Sequence, residues 1–153
     1  MSGTIPDSIR NLTELLELDL NNNILGGTVP SAVGSLVTLT QLSMSGNNFT
    51  STIPAYLSNF SNLVLLRLDS NKLTGHIPCF LSNLTSLNNI QLGWNSLSGP
   101  IPSCLLKMTQ MLNLILFDNS LTGTVPESLY NWRHIIAFAT SQNFLTGICS
   151  IFL

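Results

Sequence analysis

Apolar residues return at fixed intervals along the whole chain, and the interval is 24 residues. Each copy of the pattern reads LxxLxLxxNxLxGxIPxxLxxLxx, with a proline that follows Ile or Val once per copy. A strict period of this length predicts identical units that bury their apolar faces by stacking on one another, as in a solenoid. The prolines are Pro6, Pro30, Pro54, Pro78, Pro102 and Pro126.

The LxL segment of each copy predicts one short strand. Side chains two residues apart point to the same side of an extended segment, so the two leucines face inward and the residue between them faces solvent. Stacked copies then form a parallel sheet, and the Asn that follows lies where the chain must turn. Its amide both donates and accepts, which satisfies backbone groups that the turn leaves unpaired. The asparagines are Asn23, Asn47, Asn71, Asn95, Asn119 and Asn143.

The second half of each copy predicts an extended return and then a tight helical turn. Gly27 and its equivalents permit a positive φ or a close backbone approach, while the proline fixes φ and lacks an N–H donor. Leu81, Leu84 and Leu87 follow at three-residue steps, which suit a 3-10 turn better than a long α-helix. Trp132 shares the phase of Leu84 and is expected in the core.

The repeat with its LxGxIP signature resembles the leucine-rich repeat family in its plant-type subclass, and the resemblance covers essentially the whole chain. It implies the α/β class: a right-handed solenoid of 24-residue repeats, with a parallel β-sheet on the concave face and short 3-10 turns on the outer side. We expect one domain over residues 1–153, with about six coils, the first and last incomplete. Because Cys149 and Ser150 replace the last Ile-Pro pair, and the first copy starts within the motif, we expect a fragment of a longer protein. The alternative is a complete small protein.

Composition agrees with a solenoid that buries its leucines, since 44% of the residues are hydrophobic and only 8% are charged. The formal net charge is −2 and like charges form no block, so electrostatics indicate neither nucleic acid nor an anionic membrane as a partner. No apolar run has the length of a membrane span, and the first residues do not begin a secretory signal peptide. We therefore expect no direct membrane insertion by this chain, and no cofactor.

Three cysteines, Cys79, Cys104 and Cys149, leave at least one unpaired within the chain. Cys79 and Cys104 fall at nearly matching phase on adjacent coils, about 5 Å apart by strand spacing, so a disulfide is geometrically feasible. The sequence favours two small buried or half-buried thiols over that bridge, and leaves the redox state open. Because no CxxC pair or histidine cluster accompanies the cysteines, a metal site is not expected.

Four Asn-x-Ser/Thr acceptor patterns predict N-glycosylation. Three share one phase, so glycans there would line a single flank and leave the strand face open; the alternative is that they are by-products of the repeat. Given the resemblance, we expect an extracellular or cell-surface location, with a cytoplasmic chain as the alternative because no signal peptide is visible. The acceptors are Asn11, Asn48, Asn59 and Asn83, and Asn48 is the one outside the shared phase.

No constellation of catalytic side chains is visible in the sequence. His76 and His134 fall in different repeats, and we expect both at the surface. GxSxG, HExxH and a phosphate-binding glycine loop with lysine are absent. The chain is therefore expected to be no enzyme and to carry no catalytic residues.

The remaining class of function is recognition of a ligand by outward-facing strand residues. Residues of equal phase form rows across the concave sheet, and these rows vary while the framework is constant. Trp94 and Phe117 beside Ile115 form the best candidate hot spot, since aromatic anchors with charged neighbours are typical of binding patches. Gly93 would leave room for a side chain of the partner; the alternative is that the aromatic rings merely cover the adjacent coil. The candidate ligand-binding residues are Arg67, Asp69, Gln91, Trp94, Ile115, Phe117 and Asp118.

The resemblance implies a piece of a receptor-like kinase or receptor-like protein ectodomain that binds a protein or peptide ligand on its concave face, with a co-receptor as a further partner. A secreted inhibitor of a cell-wall hydrolase, similar to polygalacturonase-inhibiting proteins, would use the same face and is the alternative. A third class, an ice-binding solenoid, needs flat and regular rows of Thr or Asn. The irregular rows of the predicted strands argue against it.

Overall fold

The computed structural model describes residues 2–126, 129 and 131–147. Within these residues the strands pair in parallel and the helical segments are 3-10 helices, which is the α/β solenoid that the repeat predicts. The strands are β1 (Ser2–Gly3), β2 (Glu17–Asp19), β3 (Ile24–Gly27), β4 (Gln41–Ser43), β5 (Asn48–Phe49), β6 (Leu65–Arg67), β7 (Thr74–Gly75), β8 (Asn89–Gln91), β9 (Ser96–Gly99), β10 (Asn113–Ile115), β11 (Ser120–Thr124), β12 (Ala137–Ala139) and β13 (Phe144–Thr146). The 3-10 helices are η1 (Asp7–Asn11), η2 (Ser31–Ser35), η3 (Ala55–Asn59), η4 (Cys79–Asn83) and η5 (Ser103–Lys107).

The LxL strands form the concave sheet, in the order β12-β10-β8-β6-β4-β2. The register is one repeat per strand, so Leu42 lies opposite both Leu18 and Leu66. These central leucines are buried, while their neighbours on either side are partly or fully exposed, except Ser43, which is buried. The predicted strand, its inward face and its register are confirmed.

A second sheet follows the asparagine turns, where the sequence predicted only an extended chain. Its strands pair in the orders β1-β3-β5 and β7-β9-β11-β13. Lys72 N–H donates to Phe49 O (2.9 Å) and Thr74 N–H donates to Ser51 O (2.8 Å), so backbone bonding continues from one ladder to the other. Because the coils stack in register, an extended segment in one coil meets its equivalent in the next, and their backbone groups pair.

The outer side consists of the 3-10 helices, each of which begins directly after its proline. Leu81 N–H donates to Pro78 O (3.3 Å), Leu84 N–H to Leu81 O (3.2 Å) and Leu87 N–H to Leu84 O (3.0 Å). The three leucines are buried against the neighbouring coils, and Trp132 is only 3% exposed at the same phase as Leu84. Both the 3-10 turn and the core position of the tryptophan are confirmed.

The repeated asparagines hold consecutive coils together at the turn. Asn47 Oδ1 accepts from Leu25 N–H (3.0 Å) in the preceding coil. Its Nδ2 donates to Leu20 O (2.8 Å) in that coil and to Met44 O and Ser45 O (both 3.2 Å) in its own. The same set of bonds recurs at Asn71, Asn95, Asn119 and Asn143, which confirms the predicted role.

The expectation of two thiols at Cys79 and Cys104 is wrong, because a disulfide joins them. Cys79 is the first residue of η4 and Cys104 the second of η5, and their Cα atoms are 5.7 Å apart. Adjacent outer turns thus bring the two residues within disulfide range. The predictions made for Cys149 and Ser150 fall outside the described residues.

Candidate ligand-binding face

The candidate residues occupy the ends of the concave strands and the turns that follow them. Arg67, Gln91 and Ile115 are the last residues of β6, β8 and β10, and they lie side by side. Arg67 Nε donates to Gln91 Oε1 (3.1 Å), and Gln91 Nε2 donates to Asn89 Oδ1 (3.2 Å). Arg67, Gln91 and Asn89 are thus joined by hydrogen bonds over two neighbouring coils, and Ile115 lies opposite Gln91 in the next strand.

The two candidate carboxylates receive their hydrogen bonds from neutral groups. Asp69 accepts from the hydroxyl of Ser45 in the preceding coil and from Ser70 Oγ (3.5 Å). The side-chain amide of Gln142, one coil further along, donates to the Asp118 carboxylate. None of these donors is a cationic side chain.

The structure brings Trp94 and Phe117 into contact but gives them different roles. Their ring centroids are 4.4 Å apart at an interplanar angle of 81°, an edge-to-face pair. Phe117 lies over Gly93: a Cβ at that glycine would sit 3.2 Å from Phe117 Cε1. The space above Gly93 is therefore filled by the protein's own ring, and the expectation that it receives a partner's side chain is wrong. Trp94, in contrast, remains 53% exposed.

Trp94 also has an unusual backbone conformation, with φ at +49°. The turn after each strand requires a left-handed residue at this phase, and the other coils fill it with small or polar residues. For a bulky residue that conformation costs about 1 to 2 kcal/mol. Burial compensates little of this cost, since the indole is half exposed. The equivalent residues are Asn22, Gly46, Ser70, Asp118 and Gln142, with φ between 54° and 65°.

The acceptor asparagines divide into two environments. Asn11, Asn59 and Asn83 are the last residues of η1, η3 and η4, and all three are exposed. Asn48 lies within β5 and is half-buried. The three outer positions line one flank of the solenoid, away from the concave sheet, as the shared phase predicts.

The histidines form no reactive arrangement in the described residues. His76 is exposed and its Nδ1 lies 2.9 Å from Ser98 O, which makes that nitrogen the donor. His134 is exposed beside Arg133 in a shallow cleft that Thr109 and Gln110 also line. Over the same residues no group of His, Cys, Asp and Glu converges as metal ligands would, and none of the helices has the length and apolarity needed to cross a membrane.

A regular row of Ser and Thr residues lies on the second sheet. It was not predicted from the sequence, because the predicted rows were only those of the concave sheet. Equivalent residues of the row carry hydroxyls in all but one of the coils, the exception being Gly26. Thr74, Ser98 and Thr146 each direct the hydroxyl at a backbone carbonyl of the preceding coil, at 3.3 to 3.5 Å. A comparison of residues that share a position in the 24-residue repeat after the asparagine would have revealed this row. The row consists of Thr50, Thr74, Ser98, Thr122 and Thr146.

Comparison with known proteins agrees with the geometry. The Leucine Rich Repeat family model matches residues 14–36, 38–60 and 62–84. A plant peptide hormone receptor, RGFR1 in complex with RGF2, is 36% identical over 95% of this chain and 23% of its own length, with a TM-score of 0.89. The ectodomain of the Arabidopsis thaliana membrane receptor kinase GASSHO1/SCHENGEN3, in complex with CASPARIAN STRIP INTEGRITY FACTOR 2, is 35% identical over 94% of this chain and 17% of its own, with a TM-score of 0.88.

A plant ice-binding protein has the same fold, with 26% identity over 94% of this chain and 54% of that protein and a TM-score of 0.86. The chain spans only 17% and 23% of the two receptor ectodomains. A search of curated proteins finds no match.

Proposed function

The chain belongs to the leucine-rich repeat family, in its plant-type subclass, and from this premise we propose that it is a non-catalytic recognition module that binds a peptide or protein ligand on its concave face. The proposal places it in an extracellular, receptor-like ectodomain. A plant peptide hormone receptor in complex with RGF2 and a receptor kinase ectodomain in complex with CASPARIAN STRIP INTEGRITY FACTOR 2 have the same fold, which supports this class of function.

The observation that carries the proposal is the exposed Trp94 on a left-handed backbone. A scaffold under selection for stability alone would place Gly or Asn at this position, because neither pays the steric cost of a bulky side chain there. The ring of Phe117 supports one edge of the indole, so the exposed surface is held rigidly before a ligand arrives. Rigid aromatic anchors are frequent among the residues that dominate binding energy.

The extracellular part of the proposal rests on two chemical observations. A disulfide joins Cys79 to Cys104, and disulfides persist mainly in oxidising compartments. Three of the four glycosylation acceptors are exposed on one flank, where glycans would not obstruct the concave sheet. Glycosylation at Asn11, Asn48, Asn59 and Asn83 remains a prediction, as does the alternative of a hydrolase inhibitor, which would use the same face.

The test is selection of binding peptides from a random displayed library on the 153-residue chain, followed by affinity measurements. We expect selected peptides to lose at least about tenfold in affinity for Trp94→Ala, an ordinary effect for an aromatic hot spot. Phe117→Ala should weaken binding as well, because it removes the support of the indole. Phe144→Ala is the matched control: this ring is 68% exposed on the second sheet, off the concave face.

Thermal unfolding of each variant separates a binding role from a structural one. Trp94→Ala should leave the unfolding midpoint near that of the unchanged chain. If the affinity falls as much for Phe144→Ala as for Trp94→Ala, or if no library peptide depends on Trp94, the concave face is not the binding site.

A second candidate function, ice binding, is favoured by the hydroxyl row of the second sheet. The row repeats at the strand spacing of about 4.8 Å. Thr52 Cγ2 and Thr124 Cγ2 lie over the glycines of the following coils, Gly75 and Gly147, so threonine methyls also recur on this surface. An array of hydroxyl and methyl groups in fixed orientation is a surface on which water can order, and a plant ice-binding protein shares the fold.

Inhibition of ice recrystallisation tests this second candidate. Thr122→Lys would place a long charged side chain in the middle of the row, while Thr109→Lys puts the same side chain on an exposed position elsewhere. We expect the unchanged chain and Thr109→Lys to inhibit crystal growth and Thr122→Lys to lose the effect. Equal behaviour of all three chains would exclude the second sheet as an ice-binding surface.

A further inference from the structure

Charge is distributed unequally between the concave face and the rest of the solenoid. The concave face carries four carboxylates and one guanidinium: Glu17, Asp19, Asp69, Asp118 and Arg67. Elsewhere the described residues hold two carboxylates and four cationic side chains: Asp7, Glu14, Arg10, Lys72, Lys107 and Arg133. The small net charge of the chain is therefore a sum of two unequal parts. The concave face is negative, and the rest of the solenoid is slightly positive.

Within the described part of the chain, no salt bridge joins these concave carboxylates to a cationic side chain. The salt bridge found in the described residues joins Arg10 to Asp7, at 3.8 Å, on the outer side. Asp19 Oδ1 accepts from Asn21 N–H (2.9 Å), and the carboxylates of Asp69 and Asp118 likewise accept from hydroxyl or amide groups. Hydrogen bonds from neutral donors fix the position of a carboxylate but leave its charge available to a ligand.

Trp94 lies within this negative surface. Its carbonyl accepts from Asn71 N–H (3.1 Å) in the coil of Asp69, and its N–H donates to Phe117 O (3.0 Å) in the coil of Asp118. The edge-to-face contact with Phe117 leaves much of the indole open to solvent. An exposed indole flanked by carboxylates attracts a cation through two interactions. The ring quadrupole of the indole is one, and the negative charge of the carboxylates is the other.

We propose that the ligand of the concave face is a cationic peptide in an extended conformation, with an arginine or lysine side chain on Trp94 between Asp69 and Asp118. This inference rests on the proposed function and names the chemistry of the ligand. From the coil of Asp19 to that of Asp118 there are four steps of strand spacing, about 19 Å, which about six extended residues span. A peptide that crosses the strands thus meets carboxylates at both ends of its path and the indole close to one of them.

The test compares three synthetic dodecapeptides that alternate glycine with arginine, glutamine or glutamate. Binding to the 153-residue chain is measured by fluorescence anisotropy in salt of about 0.05 M and about 0.5 M. We expect the arginine peptide to bind, with an affinity that falls as salt is raised, and the glutamate peptide not to bind. Trp94→Ala should weaken the arginine peptide by about fivefold to thirtyfold, the range of a cation–π contact.

Charge variants identify which face of the solenoid attracts the arginine peptide. Asp118→Asn and Asp69→Asn should each weaken the arginine peptide by about threefold or more, because an opposite charge near the ligand is lost. Glu14→Gln removes one exposed carboxylate outside the concave face and should change the affinity by less than about 1.5-fold. Equal weakening by Glu14→Gln and Asp118→Asn would overturn the inference, since the attraction would then come from overall charge.

The outcomes also distinguish this inference from the proposed function. If the arginine peptide fails to bind while neutral peptides selected from a random library bind in a Trp94-dependent way, the cationic ligand is wrong and the recognition module stands. If neither arginine peptides nor library peptides depend on Trp94, both proposals fall.

Discussion

Replacement of Asn47 by alanine removes the side chain that joins two coils at their turn. The side chain is only 7% exposed and takes part in four hydrogen bonds. Without it the buried Leu25 N–H has no acceptor, which costs about 1 to 3 kcal/mol. The two Nδ2 protons donate to three carbonyls, and the loss of their hydrogen bonds adds about 0.5 to 1.5 kcal/mol per proton to this cost. We expect Asn47→Ala to lower the free energy of unfolding by about 2 to 6 kcal/mol.

The neighbouring Asn48 offers a matched control, since it is the same residue type at the next position. It lies half-buried in β5, and its side chain makes no hydrogen bond within the described residues. Asn48→Ala should therefore change the free energy of unfolding by less than about 0.5 kcal/mol. The assay is urea unfolding followed by tryptophan fluorescence, with the m value checked because repeat arrays can lose two-state behaviour.

Two results would refute the reasoning. A loss below about 1 kcal/mol for Asn47→Ala would mean that water replaces the amide at the turn. A loss of similar size for Asn48→Ala would mean that alanine acts through strand propensity rather than through the asparagine bonds.

Three further predictions follow from individual contacts. Replacing both Cys79 and Cys104 by serine opens a loop with a sequence separation of 25 and should lower the free energy of unfolding by about 3 kcal/mol, and a reductant should lower that of the unchanged chain equally. At position 94, Trp94→Gly should be more stable than Trp94→Ala by about 1 kcal/mol in the same urea assay; the opposite order would exclude strain at this φ. Burial raises the pKa of Tyr56, whose hydroxyl donates to Val29 O (2.9 Å). Its stabilising contribution is complete below about pH 10 and is lost as the pH rises further, because the unfolded phenol ionises first. Tyr56→Phe should show a smaller loss of stability above that pH, and identical alkaline profiles would contradict the assignment.

Much of the scaffold could be predicted from the sequence because the repeat encodes its own neighbours. In a stack with one coil per period, residues of equal phase are adjacent, so Leu18, Leu42 and Leu66 must share one buried column. The role of Asn47 followed from the need to satisfy a turn, and the 3-10 turn followed from the three-residue spacing of leucines. The candidate binding residues were placed on one face by the same rule.

The predictions that failed concern side chains of neighbouring coils whose contacts depend on distances of an ångström or less. The phase rule places Gly93 beside Trp94, but it does not reveal that the ring of Phe117 folds over the glycine. It brings Cys79 and Cys104 onto adjacent coils, but whether they form a bridge depends on the orientation of their Cβ atoms on the 3-10 turns. These contacts are determined by how several coils pack against one another.

The sequence by itself determined the solenoid, its core, its asparagine turns and the rows of residues that face outward from the concave sheet, because residues of equal position in stacked repeats are neighbours. Only the tertiary structure decided the left-handed backbone at Trp94, the pairing of the return segments into a second sheet and the disulfide on the outer turns. These features depend on backbone torsions and on contacts between coils, and a pattern of residue types specifies neither.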